Sequence, residues 1–182
     1  YDIYTTGIYE SKLYDLLKAD ISKNIKKFKI AFLPKLTGVN IRISKVKTTE
    51  SIQNVIAFKD KVKDKISEYV YSDCRESLES VVVKTLRDKN ITISTAESCT
   101  GGLISKKITD ISGASNVYYG GVVAYSDELK INLLNVNKDD IKKNGAVSEI
   151  VVRQMLEGVN GITNSNISVA TSGISGPDGG TK

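Results

Sequence analysis

Beyond Ser72 and Asp73 the hydrophobic rhythm of this chain changes, and that change limits the available folds more than any other feature. Leu78, Val81, Val82 and Leu86 stand at helical spacing, Ile91-Thr-Ile93 at strand spacing, and Leu103, Ile104, Ile108 and Ile111 at helical spacing again, opening at about Ser98. Val122-Val-Ala124 reads as a second buried strand, residues 127–134 and 148–160 as helices, and Ile167–Ala170 as a strand. Helices alternating with short apolar strands predict an α/β layer.

The residues before the change follow another pattern. Leu13, Leu16, Leu17, Ile21 and Ile25 predict an amphipathic helix over 11–25. Ile30-Ala-Phe-Leu33 reads as a strand, Pro34–Gly38 as a turn, and Val39, Ile41 and Ile43 alternate with polar residues as the second arm of a hairpin. From Thr49 helical spacing resumes through Ile52, Val55, Ile56, Val62 and Ile66, with the lysines at 59, 61, 63 and 65 mostly outward. Tyr69-Val-Tyr71 is a brief extended piece. A small α+β domain over 1–71, followed by an α/β domain over 72–182, is the expected organisation.

Composition excludes several classes. With 40% hydrophobic and 26% charged residues in 182, packed cores are expected rather than disorder. No apolar run approaches the roughly 18 residues that span a bilayer, and no signal peptide opens the chain, so no membrane partner and a cytoplasmic location are expected. Cys74 and Cys99 are too few for a disulfide framework and sit at no metal-closing spacing. The absence of histidine removes the commonest general base and the commonest metal ligand, so hydrolytic chemistry must use another base, without metal or cofactor. Starting at Tyr1 and stopping just after a glycine-rich loop, the chain reads as a fragment. Its net charge lies in the first part: residues 1–73 hold 14 Lys/Arg against 9 Asp/Glu, and the remainder 12 against 12. Such asymmetry can mark a nucleic-acid surface. Lysines strewn along helices without interleaved aromatics favour a solvated helical face instead.

Three runs carry candidate chemistry, each after a strand. In Thr95-Ala-Glu-Ser-Cys-Thr-Gly-Gly102 small and hydroxylated residues lead into a helix, whose start can hold an oxyanion or phosphate; an N-cap serine in a tight turn is the simpler alternative. In Gly120–Lys130 a buried strand ends at Tyr125, Ser126 caps the next helix, and Lys130 stands one turn in. Taken singly, Lys130 could be a surface lysine and Tyr125 a packing aromatic. Thr171–Gly180 holds four glycines able to present backbone N–H groups to an anion, or simply a surface turn, and lacks the Walker lysine pattern. Ligand crevices in open α/β sheets lie beyond the carboxyl ends of the strands, so these runs can face one crevice.

Together, AESCTGG at 96–102, GGVVAYSDELK at 120–130, GAVSE at 145–149 and SGISGPDGG at 172–180 resemble the C-terminal domain of the CinA family, which is the PncC-type nicotinamide mononucleotide (NMN) deamidase domain. Residues 1–70, from TTGIYESKL through AFLP to the lysine-rich helix, resemble the KH-like middle region of the same family. The family's molybdopterin-binding-like domain, associated with ADP-ribose pyrophosphatase activity, and its segment after SGISGPDGG have no counterpart in these residues. The resemblance implies a three-layer-like α/β sheet preceded by a small α+β KH-like domain, a homo-oligomer, and hydrolysis of the NMN carboxamide to nicotinate mononucleotide and ammonia.

On that resemblance Ser98 attacks the amide carbon and Lys130 accepts its proton, a Ser–Lys arrangement that works without histidine. A lysine in this role is neutral part of the time and must be withdrawn from solvent. Tyr125 orients the pair or passes a proton to departing ammonia. The amides of Thr100, Gly101 and Gly102 are expected to hold the oxyanion, and Ser172, Gly173, Gly176, Gly179 and Gly180 to contact the ribose phosphate. Cys99 is the rival nucleophile, but neighbouring residues at a helix start point about 100° apart, so one of the two faces substrate, and the resemblance assigns Ser98. Glu97 is the nearest competing base, expected only to brace the turn. The alternative class is a nucleic-acid-binding or structural module linked to competence or DNA damage. KH domains clamp nucleic acid with a GXXG loop, and residues 1–70 contain only Gly7 and Gly38, so nucleic acid is not expected and a spacer is preferred for this part.

Overall fold

The computed structural model describes residues 1–47 and 50–176. The chain divides into two compact units, Tyr1–Val81 and Val82–Lys182.

In the first unit β1 (Asp2–Thr5), β2 (Phe28–Lys35), β3 (Gly38–Lys45) and β4 (Val70–Ser72) form an antiparallel sheet in the order β2-β3-β1-β4, with helices α1 (Glu10–Asn24) and α2 (Ile52–Lys65). Val39, Ile41 and Ile43 alternate inward from β3 and pack with Leu13 and Leu17 of α1 and Val55, Phe58 and Val62 of α2. Phe28 stacks on Phe58 at 4.6 Å between ring centroids. The expected turn over 34–38 is corrected: Pro34 pairs with Val39 inside the ladder, and only Leu36 and Thr37 connect the strands. Proline is tolerated there because β2 is an edge strand. Gly38 closes the turn at φ 149°, where a side chain would strike the Thr5 backbone.

The outward lysines of α2 are not a free basic face. Lys61 and Lys65 grip Asp20 of α1 at 2.8 and 2.7 Å, while Lys59 and Lys63 grip Asp73 at 2.9 and 2.8 Å. The alternation follows from helical spacing: residues four apart share a face, so the four lysines form two opposed clamps. Hydrogen bonds from Lys61 and Lys65 hold the Asp20 carboxyl down at a pKa of about 2.

The second unit is a parallel sheet, β5 (Ile93–Glu97), β6 (Tyr118–Val123) and β7 (Ile167–Thr171), in the order β6-β5-β7. One face packs Ala96 and Val122 against Leu134 of α5 (Asp127–Leu134) and Val151, Met155 and Val159 of α7 (Glu149–Thr163). The opposite face packs Ile93, Tyr118 and Val169 against Val83 and Leu86 of α3 (Leu78–Asp88) and Ile108 of α4 (Leu103–Thr109). The unit is therefore three-layered, as an α/β sheet with apolar residues on both faces requires. A short helix, α6 (Lys138–Asn144), joins α5 to α7. Gly158 lets α7 approach the end of α5, since a Cβ there would meet the Leu134 carbonyl.

Candidate active site

Strand β5 is central, and every residue in it is buried, although its sequence is Ile-Ser-Thr-Ala-Glu. Burial of hydroxyls and a carboxylate is tolerated only if each is hydrogen-bonded. On the α4 side, Thr95 Oγ1 lies 2.7 Å from Tyr118 OH, Tyr118 OH donates to Ser105 Oγ at 2.7 Å, and Ser105 Oγ donates to Glu97 Oε1 at 2.6 Å. On the opposite side, Ser94 Oγ meets Ser165 Oγ at 2.8 Å and Ser168 Oγ at 3.0 Å.

Beyond β5 the chain turns sharply through Ser98–Gly102. Gly101 (φ 60°) and Gly102 (φ 94°) adopt left-handed backbone that disfavours other residues. These glycines correct the expected helix start at Ser98: α4 begins at Leu103, with Gly102 as its cap. The amide of Gly101 donates to the Ser98 carbonyl at 3.0 Å. That of Gly102 donates to Glu97 Oε2 at 3.0 Å, and those of Ile104 and Ser105 also point at the Glu97 carboxylate, at 3.0 and 2.8 Å. The N–H groups of Gly101 and Gly102 are thus engaged within the turn, and Glu97 occupies the helix start. Of the three amides expected there, Thr100 N makes no hydrogen bond to another described residue. Burial pushes the Glu97 pKa up, but the hydrogen bonds from Ser105, Thr100 and Ile104 outweigh it and hold the carboxyl below its ordinary range.

The three strand ends converge. Glu97 pairs with Val123 of β6 on one side and Thr171 of β7 on the other. Ser98 N donates to the Thr171 carbonyl at 3.0 Å, and Thr100 Oγ1 meets Thr171 Oγ1 at 2.8 Å. Ser172 Oγ donates to the Ala146 carbonyl at 3.0 Å, bringing the 145–149 segment to the same rim. The Cys99 sulfur faces Gly173, 3.1 Å from where a Cβ would stand. Gly176 is described as a bend beyond this rim, and Gly179 and Gly180 lie outside the described residues.

Past β6, Ser126 caps α5 by accepting from Leu129 N at 3.2 Å. Tyr125 is 69% exposed, so it is not a packing aromatic. Lys130 is only 2% exposed, so it is not a surface lysine. Its amine donates to the Tyr125 carbonyl at 3.2 Å and stands 3.5 Å from Asp127 Oδ1, a carboxylate on the solvent side of the same helix. A direct Ser98–Lys130 hydrogen bond is not among those formed by the described residues. Ser98 itself is 7% exposed.

A buried lysine, a serine at a glycine-locked turn and an exposed tyrosine thus sit on neighbouring segments at the carboxyl edge of one parallel sheet. Residues 75–182 match the family described as the CinA C-terminal domain, and residues 2–72 that described as the damage-inducible protein CinA KH domain. The chain belongs to the CinA family. A CinA-like protein of Thermotoga maritima is 42% identical over 177 residues, covering 96% of this chain and 42% of its own length. This CinA-family chain therefore spans less than half the length of that relative. Among solved structures it is similar to the competence/damage inducible protein CihA from Agrobacterium tumefaciens, with 38% identity, a TM-score of 0.55, and 57% of this chain and 63% of that one covered. It is also similar to a competence-damaged protein (CinA) superfamily protein from Escherichia coli, with 31% identity, a TM-score of 0.56, and 59% and 63% covered. Among the described residues no helix is long and apolar enough to cross a membrane.

Proposed function

We propose that the second unit hydrolyses the carboxamide of NMN, giving nicotinate mononucleotide and ammonia, with Ser98 as nucleophile and Lys130 as proton acceptor. The observation that carries this reading is the burial of the Lys130 amine at the strand edge that β5 supplies with Ser98. A proton-accepting lysine needs this withdrawal from solvent, and few other bases exist in a chain without histidine. Glu97 is disfavoured as the base because four donors already saturate its oxygens.

In the proposed reaction Ser98 Oγ attacks the amide carbon as its proton passes to Lys130. The resulting oxyanion is held by the free amide of Thr100. Lys130 returns the proton to the departing nitrogen, with Tyr125 assisting at the open side, and ammonia leaves an acyl ester on Ser98. Water then attacks that ester as Lys130 takes its proton, and Lys130 returns that proton to Ser98 Oγ as the acyl–oxygen bond breaks and nicotinate mononucleotide leaves. Loop 172–176 is the part of the phosphate-binding candidate that the structure describes. The test is ammonia release by the full-length protein from a panel of pyridine nucleotides. Release from NMN supports the reading, and no release from any carboxamide nucleotide rejects it.

For the first unit the spacer reading is favoured over nucleic-acid binding, because two carboxylates take up the four lysines of α2.

A further inference from the structure

Glu97 is fully buried directly before the nucleophile, and all four of its lone-pair directions are met by donors: Gly102 N and Ile104 N on Oε2, Ser105 N and Ser105 Oγ on Oε1. Three of these groups are backbone N–H and cannot accept a proton from a carboxylic acid, and the fourth, the Ser105 hydroxyl, already has the Tyr118 and Thr95 hydroxyls at 2.7 and 2.9 Å on its two lone pairs. The carboxylate therefore acts as an anion locked across the turn, tying residue 97 to residues 102, 104 and 105 and enclosing Ser98 between them.

We propose that Glu97 is a positioning residue for the reaction: it fixes the Ser98–Gly102 turn so that Ser98 Oγ is held toward Lys130 and Thr100 N toward the developing oxyanion, with Thr95, Tyr118 and Ser105 as a hydroxyl chain that fixes Glu97 in turn. This inference rests on Ser98 being the nucleophile of the proposed function. Three features support it. Tyr118 OH donates to Ser105 Oγ and Ser105 Oγ donates to Glu97, so Thr95 Oγ1, 2.7 Å from the first oxygen and 2.9 Å from the second, is left to donate its single proton into the pair. Gly121 is required beside it, because a Cβ there would collide with Thr95 Oγ1 and Tyr118 OH. The glycines at positive φ make the turn otherwise soft, so its shape must come from a fixed partner.

Glu97→Gln tests the proposal in the full-length protein. An amide offers one accepting oxygen where the site presents donors to two, so the turn must shift. Labelling of Ser98 by a fluorophosphonate, located by peptide mass spectrometry, and kcat on NMN are both expected to fall by about 10–100-fold, the effect of misplacing a reacting atom by about 1 Å. KM and the shape of the pH–rate profile should stay as in the wild type. A folded Glu97→Gln protein with wild-type labelling and kcat overturns the proposal, as does loss of one limb of the pH profile, which would make Glu97 the proton acceptor. Should Glu97→Gln fail to fold, Ser105→Ala removes one donor while keeping the carboxylate. It should lower kcat several-fold without changing KM, with rescue by Ser105→Thr; wild-type kcat in a folded Ser105→Ala protein is equally contrary. If wild-type protein labels at Ser98 but releases no ammonia from NMN, the substrate reading fails while the labelling comparison still decides this inference. If it does neither, Ser98 is no nucleophile and both fail.

Discussion

The Lys130 amine donates to the backbone carbonyl of Tyr125 at 3.2 Å, five residues back along its own chain. The bond joins the end of β6 to the first turns of α5 and draws the amine inward to the sheet edge. Its ion-pair partner, Asp127 at 3.5 Å, is exposed, and among the described residues no buried acid pairs with Lys130.

Lys130→Met keeps the stem and deletes the proton acceptor. The expected loss in kcat on NMN is about 10²–10⁴-fold, the usual contribution of a positioned base. The melting temperature should not fall, because a buried apolar side chain replaces a buried amine that costs desolvation. Full activity in the variant would remove Lys130 from the mechanism.

Where local periodicity dominates, sequence and structure coincide: α1, α5, α7 and β7 fall within a few residues of their expected positions. The disagreements arise where tertiary partners override local preference. Strand β5 was expected at Ile91–Ile93 but runs Ile93–Glu97, because Ser94, Thr95 and Glu97 are buried by hydroxyl partners 8 to 74 residues away. Its predecessors turn at Asn90 (φ 53°) instead. The hold of Glu97 on the amides at the start of α4 had only its position beside Ser98 as a signal, since it reaches forward across five to eight residues rather than at the usual capping spacing. Strand β1 and the short helix α6 have too few apolar residues for a period to register.

The clamp on Asp20 makes a pH prediction for the first unit. Because the folded pKa is depressed from 3.8 to about 2, the clamp stabilises above the unfolded value, and that stabilisation is lost as pH falls through the folded one. Asp20→Asn should therefore lower the melting temperature at neutral pH, with the gap to wild type closing between pH 4 and about pH 2. A gap unchanged across that window would show that the ion pairs do not contribute.

Oligonucleotide binding separates the two readings of the first unit. With its α2 lysines paired, the unit should bind single- and double-stranded DNA weakly, without sequence preference, and steeply less as salt rises. Sequence-selective binding that persists at moderate salt in a fluorescence-anisotropy titration would overturn the spacer reading.

The central claim is that the Ser98 oxygen, rather than the neighbouring sulfur, makes the acyl bond. Ammonia release from NMN by the full-length protein, measured side by side for wild type, Ser98→Ala and Cys99→Ala, tests it most directly. The account predicts no detectable turnover for Ser98→Ala and most of the wild-type rate for Cys99→Ala, whose thiol packs toward Gly173. Turnover retained in Ser98→Ala, or lost equally in both variants together with substrate-protected alkylation of Cys99, would contradict it.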